Sequence, residues 1–392
     1  MALIPEGKET EMNRLTWILL AVLLGLLVWG GCAQKETNDI RVGVNAEITG
    51  SKPTVGDSCK NAAQLLAAQV NAAGGLKVGD QTYPVTLYIE DNEDKPESAA
   101  AVTKKLISQN NVLAILGPNA SGNAIPAARI CEDAKVITIS PWSTNPKTTE
   151  NMQYVFRACF VDDFQGRVMA KFARNNLKAD TAAVLYDVAS EYNKGIAEIF
   201  KKEFEAMGGQ AVAFESYTKD DKDFSSQLTK IKPADPDLLF LPNYYNEVPL
   251  QVQQARRLGL TCGIIGSDSW GSDELLKLGG EDLEGCFFST HYAPDIATPQ
   301  AQKFIKEYEA KYGKKPDDVA ALTYDSGQLL LTAITEAGTR DRQKVRDALA
   351  NIKEFNGVTG KMKFKGTGDP IKSAVIIQIK DGKFTYYDSV AP

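Results

Sequence analysis

The fold prediction starts from the run Ile40-Arg41-Val42-Gly43-Val44-Asn45-Ala46, whose apolar character is typical of a buried β-strand. Apolar residues then recur with helical spacing from Ala62 to Ala73, and Gly74-Gly75 ends that pattern. A second apolar run extends from Pro84 to Glu90. Two strands joined through a helix of this length are parallel neighbours with a right-handed crossover. The segment therefore predicts a βαβ unit and places the chain in the α/β class.

The same alternation continues along the chain and restarts after Phe160. The first series has further strands at 112–116 and 136–140, with helices at 97–109 and 121–134. The second series has helices at 165–175, 194–207, 224–231 and 248–258, and strands at 181–186, 211–217, 238–241, 262–266 and 286–290. Helices at 299–312, 319–337 and 342–351 then follow without an intervening strand, before a hairpin of strands 373–380 and 383–387. We expect two doubly wound parallel-sheet domains, with the three helices packed back on one of them.

Composition and motifs argue against catalysis and against nucleic-acid binding. The 392 residues exceed what one hydrophobic core usually supports, and their formal net charge of -6 provides no basic face for a phosphate backbone. His291 is the single histidine in the sequence, which removes most metal sites and most acid/base pairs that need an imidazole. The sequence contains no Gly-x-Gly-x-x-Gly, Walker or Gly-x-Ser-x-Gly motif. We therefore expect no enzyme activity, no cofactor and no metal.

The N-terminal segment has the pattern of an export signal. No charged residue occurs from Leu15 to Gln34, and the apolar core of this stretch ends at Gly30-Gly31-Cys32. Met12-Asn13-Arg14 provides a basic leader, so Met12 is a candidate start. The Gly-Gly-Cys junction resembles a bacterial lipobox, which predicts a signal peptide over 1–31, lipidation of Cys32 and an exported protein tethered outside the cytoplasmic membrane. The alternative is an uncleaved membrane anchor, because the stretch nearly reaches the ~20 residues that a bilayer requires.

Two of the remaining cysteines are candidates for a disulfide, which export permits. Cys262 and Cys286 each begin a predicted strand of the second domain. If those strands are parallel neighbours, the two sulfur atoms lie side by side and a disulfide is expected. The alternative is a pair of buried free thiols.

Polar and aromatic residues follow the predicted strands, at the carboxyl ends where doubly wound sheets bind ligands. Ser121 opens a helix, where its hydroxyl and free backbone N–H groups can hold an anion, or where it is a plain N-cap. Asp268 can serve a cation, although a lone aspartate in such a loop is more often a turn residue. The other candidates are Trp142, Ser143, Thr144, Tyr192 and Tyr244. We interpret the adjacent pair Asp162-Asp163 as solvated loop charge.

Several motifs occur together, in one consistent order, from Ile40 to the C-terminus. They are Glu47-Ile48-Thr49-Gly50, Asn71-Ala72-Ala73-Gly74-Gly75-Leu76, Gly117-Pro118, Asp223-Phe224-Ser225-Ser226-Gln227-Leu228, Gln254-Ala255-Arg256-Arg257-Leu258-Gly259-Leu260 and Tyr324-Asp325. In this combination the chain resembles the type I periplasmic binding proteins of the leucine/isoleucine/valine-binding group, the receptors of branched-chain amino acid ABC transporters. The resemblance implies two lobes joined by three crossover hinge strands. Lobe 1 would contain residues 39–160 plus 292–361, and lobe 2 would contain 161–291 plus 362–392.

The resemblance also implies roles for the candidate residues. Ser121 and Thr144 would hold the ligand carboxylate. The carbonyl of Trp142 and the hydroxyl of Thr144 would take the ammonium, together with Asp268. The residues that would close over the ligand from lobe 2 are Tyr192 and Tyr244.

Three features depart from the family pattern. Val55 stands where the branched-chain receptors have an aromatic residue against the ligand side chain. Trp142 replaces a small residue, next to Ser143 in the same loop. Asp94 and Ala120 stand where the family has a disulfide near the cleft. The side-chain preference therefore stays open.

The expected function is capture of an α-amino acid, aliphatic or branched-chain, and its delivery to an ABC transporter permease. Alternatives are a receptor of the same fold for amides, urea or aromatic acids, and a ligand sensor. Asp268 separates these alternatives, because an uncharged amide gives a buried carboxylate no ionic partner. The crossovers near Cys159-Phe160, His291-Tyr292 and Gly360-Met362 would act as hinges when ligand closes the lobes.

Overall fold

The computed structural model describes residues 38–392, in which strands and helices alternate. The strands are β1 (Ile40–Ala46), β2 (Leu76–Val78), β3 (Gln81–Tyr83), β4 (Val85–Asp91), β5 (Ala114–Leu116), β6 (Ile137–Ser140), β7 (Val155–Arg157), β8 (Thr181–Asp187), β9 (Gln210–Tyr217), β10 (Leu238–Leu241), β11 (Gly263–Gly266), β12 (Phe287–Thr290), β13 (Phe355–Gly357), β14 (Gly360–Met362), β15 (Ala374–Lys380) and β16 (Lys383–Val390). The helices are α1 (Pro53–Ala72), α2 (Pro96–Ser108), α3 (Ser121–Asp133), α4 (Asp162–Asn175), α5 (Glu191–Ala206), α6 (Ser225–Ile231), α7 (Val248–Arg257), α8 (Asp273–Gly279), α9 (Pro299–Tyr312), α10 (Asp318–Ala337) and α11 (Arg342–Ala350). The predicted signal peptide over 1–31 and Cys32 lie outside the described residues.

The first sheet contains five parallel strands in the order β4-β1-β5-β6-β7. The central strand β1 pairs with β4 on one side and with β5 on the other, and its residues Val42 and Val44 are buried. Strands buried on both faces are typical of parallel sheets covered by helices. Because the strand order reverses at β1, a crevice opens between the loops that follow β1 and β5.

Helices α9 and α10 return to this first sheet. Both pack against α1, and α10 also contacts β5, while α11 packs against α10. Gly327 of α10 approaches α1 so closely that a Cβ at this position would lie 2.4 Å from Leu66 Cδ2. This packing agrees with the prediction that the three helices return to an existing domain.

The second sheet contains seven strands in the order β16-β15-β12-β11-β10-β8-β9. The strands from β8 to β12 pair in parallel, whereas β15 and β16 form an antiparallel hairpin at one edge. The prediction of two α/β lobes with parallel sheets is therefore confirmed. The C-terminal hairpin makes the second sheet mixed.

The chain passes between the two sheets three times, after β7, after β12 and after β14. The buried side chain of Lys372 joins two of these regions, because its Nζ donates to the Ala158 carbonyl at 3.3 Å and to the Thr359 hydroxyl. His291, directly after β12, is buried with its ring centroid 3.7 Å from that of Phe160. The assignment of residues 39–160 plus 292–361 and 161–291 plus 362–392 to the lobes stays a prediction.

The predicted disulfide is wrong, because Cys262 and Cys286 are both free thiols. Their strands β11 and β12 are parallel neighbours, with Ile265 level with Phe287. That register places Cys286 level with Ile264, two positions further along the strand than Cys262. The offset is about 7 Å along the strand direction, and a disulfide requires the two Cβ atoms to lie much closer than that.

Candidate ligand-binding site

A buried carboxylate organises the first loop of the cleft. Glu47 directly follows β1, and its side chain accepts hydrogen bonds from the backbone N–H groups of Asn119 and Ala120, each at 3.1 Å. It also accepts from Asn119 Nδ2 at 2.8 Å and from Asn123 Nδ2 at 3.1 Å. A negative charge is favourable here, at the N-terminus of α3. The N–H groups of Asn119 and Ala120 are thus taken by Glu47, which leaves Ser121 as the candidate anion-binding residue of this loop.

The side chain of Ser143 joins two loops of the first lobe. Its Oγ donates to Ser121 Oγ at 3.0 Å and lies 2.7 Å from Thr148 Oγ1. The buried Arg157 donates from Nη1 to the Ser143 carbonyl at 2.6 Å and from Nη2 to the Asn145 carbonyl at 3.0 Å. Ser143 therefore orients Ser121, and Arg157 holds the loop after β6 in place.

The indole of Trp142 lies in the cleft, and a hydrogen bond to lobe 1 fixes its orientation. Its Nε1 donates to Asp318 Oδ2 at 3.1 Å, and its ring centroid lies 6.0 Å from that of Tyr244. Val55 is buried in the apolar core of the first lobe and does not line the cleft cavity described below. Trp142 is thus the apolar residue of lobe 1 that lines this cavity, and the contact of Val55 with a ligand stays a prediction.

On the opposite side, Asp268 is fully enclosed among hydrogen-bond donors. It accepts from Gln165 Nε2 at 2.7 Å and from the Tyr192 hydroxyl at 2.5 Å. Burial raises the pKa of Asp268 to about 7, while the hydrogen bonds from Tyr192 and Gln165 oppose this rise. Burial also lowers the pKa of His291 well below its usual value, so the imidazole, whose Nε2 lies 3.1 Å from Asp268 Oδ2, is neutral. Among residues 38–392, no lysine or arginine forms an ion pair with Asp268.

A second carboxylate, that of Asp162, lies close to Asp268, and the prediction that it is solvated is wrong. Asp162, interpreted as solvated, is fully buried at the start of α4, whereas its neighbour Asp163 is exposed. Burial raises the pKa of Asp162 to about 8, the Asp268 carboxylate adds to this rise, and the Thr144 hydroxyl opposes it. The backbone N–H of Asp162 donates to the Thr144 carbonyl at 2.9 Å. The loop of Thr144 therefore meets the carboxylate pair at the junction of the two lobes.

These residues surround a narrow cavity between the two lobes. Its lining consists of Asn119, Ser121, Trp142, Tyr192, Tyr244 and Asp268. The structure thus brings together Ser121, Trp142, Tyr192, Tyr244 and Asp268 of the predicted site. Ser143 and Thr144 lie just outside the lining, and Val55 lies apart from it. Asn119, Glu47 and Asp162 were not predicted as site residues, although Glu47 belongs to a quoted motif.

The two lobes contact each other around this cavity. Asn145 Nδ2 donates to the Glu191 carbonyl at 2.8 Å, and Asn246 Nδ2 donates to the Ser51 carbonyl at 3.2 Å. Asp94, where the family pattern has a disulfide cysteine, instead forms a buried ion pair of 2.6 Å with Lys52. The two lobes are therefore closed over the site.

The described residues contain no cluster of histidine, cysteine or carboxylate side chains suited to a metal ion. In the same part of the chain, no helix combines the length and the apolar character needed to cross a bilayer.

Comparison with known proteins now identifies the family. The family described as Periplasmic binding protein matches residues 39–383. The Leu/Ile/Val-binding protein homolog 2 of Brucella abortus is 30% identical over 371 residues, which cover 93% of this chain and 97% of that protein. The leucine binding protein LivK of Thermotoga maritima is 35% identical with a TM-score of 0.85, covering 90% of this chain and 99% of that one.

A further solved structure is the branched-chain amino acid transporter substrate binding protein LivJ of Streptococcus pneumoniae in complex with isoleucine. It is 32% identical with a TM-score of 0.84, and the match covers 90% of this chain and 100% of that one. These matches extend over nearly all of the described residues and confirm the resemblance found in the sequence motifs. The chain belongs to the periplasmic binding protein family.

Proposed function

We propose that this protein is an exported solute-binding lipoprotein that captures an α-amino acid between its lobes and delivers it to an ABC transporter permease. Aliphatic and branched-chain amino acids are the first candidates, because the relatives described above are named for leucine, isoleucine and valine. The lipid anchor rests on the Gly30-Gly31-Cys32 junction of the sequence. The permease follows from the transporter role that the relatives' names describe.

The observation that carries the ligand class is the charge on the two sides of the cavity. An α-amino acid is a zwitterion, and an unpaired charge in a closed cleft is costly. Lobe 1 offers the neutral hydroxyl group of Ser121 in the lining, with that of Thr144 just outside it, and hydroxyl groups suit a carboxylate without any basic residue. Lobe 2 offers Asp268, which has hydrogen-bond donors but no cation within the described residues. The ammonium of an amino acid supplies that missing charge.

The proposal is tested by titrating amino acids into the full-length protein after co-purified ligand has been removed by unfolding and refolding. Asp268→Ala should weaken binding by at least two decades, because stranding one partner of a buried ion pair costs about 3 to 5 kcal/mol. Asp273→Ala is the matched control, since Asp273 is an exposed carboxylate near Asp268 in the sequence. Asp273→Ala should bind like the wild type. Near-normal affinity of Asp268→Ala for the same amino acid would overturn the proposal.

A neutral ligand is the second candidate, and the raised pKa of Asp268 favours it. A protonated carboxyl donates a hydrogen bond to a carbonyl oxygen, so an amide or urea could bind at pH values below about 7. An aromatic acid, another of the alternative ligands, would pack against the rings of Trp142, Tyr192 and Tyr244 in the lining. Asp268→Asn separates the classes, because the amide keeps a donor but loses the negative charge. An α-amino acid should lose affinity in this variant, whereas an amide ligand should keep it.

A further inference from the structure

The cavity lining contains information about the ligand side chain. If Ser121 and Asp268 receive the two charged groups, as proposed above, the rest of the lining is left for the side chain. That remainder consists of Asn119, Trp142, Tyr192 and Tyr244. It contains aromatic rings and one carboxamide but no aliphatic side chain. A long aliphatic ligand would therefore meet rigid rings and a polar group.

Trp142 limits the length of this compartment because its position is fixed. Its Nε1 donates to Asp318, a buried carboxylate at the first turn of α10, and only 5% of the residue is exposed. Asp318 is held in turn by the backbone N–H of Val319 at 2.9 Å and lies 3.4 Å from the Thr290 hydroxyl. If the indole swung away to admit a longer side chain, the Asp318 carboxylate would lose a donor inside the protein, which is costly.

Asn119 lines the compartment and has an unused hydrogen-bond acceptor. Its Nδ2 donates to Glu47 Oε2 at 2.8 Å, which fixes the orientation of the carboxamide. Its Oδ1 is buried and has no hydrogen-bond partner of ordinary geometry among the described residues. The thiol of Cys59 interacts with this amide, but a thiol is a weak donor. A ligand hydroxyl would satisfy the oxygen, whereas a methyl group would leave it unpaired at a cost.

We propose that Trp142 and Asn119 make the side-chain compartment short and polar, so that the protein prefers threonine and serine to leucine and isoleucine. Threonine and valine have nearly the same shape, and Asn119 makes the difference between them. This inference rests on the proposed function, since it assumes an α-amino acid bound through Ser121 and Asp268.

The test compares the affinities of threonine, valine, serine, alanine and leucine for the ligand-free wild-type protein by calorimetry. Threonine should bind at least tenfold more tightly than valine, because a site that hydrogen-bonds a hydroxyl rejects the analogue that lacks it. Leucine should bind at least tenfold more weakly than threonine. Tighter binding of leucine, isoleucine or valine than of threonine would overturn the inference and leave the proposed function standing. Binding of an amide or aromatic acid, with no amino acid bound, would overturn both.

Two variants assign the preference to the named residues. Asn119→Leu should bring the affinities of threonine and valine to within about threefold of each other, while Glu47 keeps its other donors. Trp142→Ala should raise the affinity for leucine relative to alanine at least tenfold, whereas Trp142→Phe, which keeps a ring in place, should not. An unchanged threonine-to-valine ratio in folded Asn119→Leu would contradict the role of Asn119. If that variant does not fold, the wild-type ratios alone decide the test.

Discussion

The two sides of the cleft treat charge differently. In the first loops of lobe 1, two charged groups already have partners within the lobe: Glu47 accepts from four N–H groups, and Lys52 pairs with Asp94 at 2.6 Å. On the second lobe, Asp268 and Asp162 are buried, neither forms an ion pair with a lysine or arginine of residues 38–392, and burial raises the pKa of both. The loops of Glu47 and Lys52, here called the completed side, therefore have their partners before ligand arrives, whereas the side of Asp268, here called the incomplete side, does not.

Because of this difference, we expect the second lobe to provide most of the electrostatic free energy of ligand binding. In the proposed binding mode, the ligand ammonium gains from the second lobe because it pairs with the buried Asp268 carboxylate, close to Asp162. The first lobe contributes little electrostatic free energy to binding. It mainly provides a complementary surface and hydroxyl groups that can hydrogen-bond the ligand. In the proposed binding mode, the cationic end of the ligand lies toward Asp268.

The largest effect is expected from breaking the completed side at Arg157. Arg157→Leu removes the donors to the Ser143 and Asn145 carbonyls, which are then left buried and unpaired. We expect the free energy of unfolding to fall by about 3 kcal/mol, measured by urea denaturation. Arg167→Leu, at an exposed arginine of α4, is the control and should cost less than about 1 kcal/mol. Equal stability of the two variants would contradict the structural role of Arg157.

The next effect concerns the cost of the incomplete side, at Asp162. Its pKa is about 8 when folded, against an ordinary value near 3.8, so the folded state holds a proton that the unfolded state releases between these values. Stability should therefore fall as pH rises from about 4 to about 8. Asp162→Asn removes this titration and should be more stable than wild type near pH 8, by on the order of 2 kcal/mol.

Asp163→Asn is the matched control for this substitution, because Asp163 is adjacent but exposed. It should show the wild-type dependence of unfolding free energy on pH. Asp268 titrates in the same window, so a smaller slope should persist in Asp162→Asn. A slope identical to that of wild type would exclude Asp162 as the source.

A third test uses pH on ligand binding. With a pKa of about 7 for Asp268, protons compete with the ligand ammonium below that pH. Affinity for an α-amino acid should rise with pH from 5 to about 7, by up to tenfold per pH unit, and then level off, as measured by calorimetry. The opposite trend, with tighter binding at low pH, would support a neutral ligand instead.

The smallest effect is expected on the completed side at Ser121. Ser121→Ala removes one neutral hydroxyl from the cavity and should weaken binding by about 1 kcal/mol, or roughly fivefold. Ser108→Ala, at an exposed serine that ends α2, serves as control and should bind normally. If Ser121→Ala weakened binding as much as Asp268→Ala, the two sides would not differ as described.

Much of the fold follows from local pattern. The apolar runs at β1, β5, β6 and β10 predict buried strands, because a parallel sheet covered on both faces needs them. The strands β2, β3, β7 and β13 were missed, since each has three residues and, unlike β5, none lies in a longer apolar run. Helix α1 begins at Pro53, well before the predicted Ala62, because proline at a first turn is a start signal that polar residues obscured.

The site was predictable where position after a strand decides it, as for Ser121, Trp142 and Asp268. Burial of charge was not predictable, because whether Asp162 or Glu47 meets solvent depends on packing between elements far apart in the chain. The disulfide failed for a related reason. Adjacent strands were foreseen for Cys262 and Cys286, but register depends on contacts along both strands.

The return of α10 to α1 has a consequence for synthesis. The core of the first lobe needs Leu66 of α1 against Gly327 of α10, contacts separated by most of the chain. Folding with such distant contacts is slow, because the chain must lose the entropy of loop closure before these contacts form. A nascent chain ending before Ala337 would lack the helix that covers its first sheet. The first lobe can therefore complete its core only after most of the polypeptide has been synthesised.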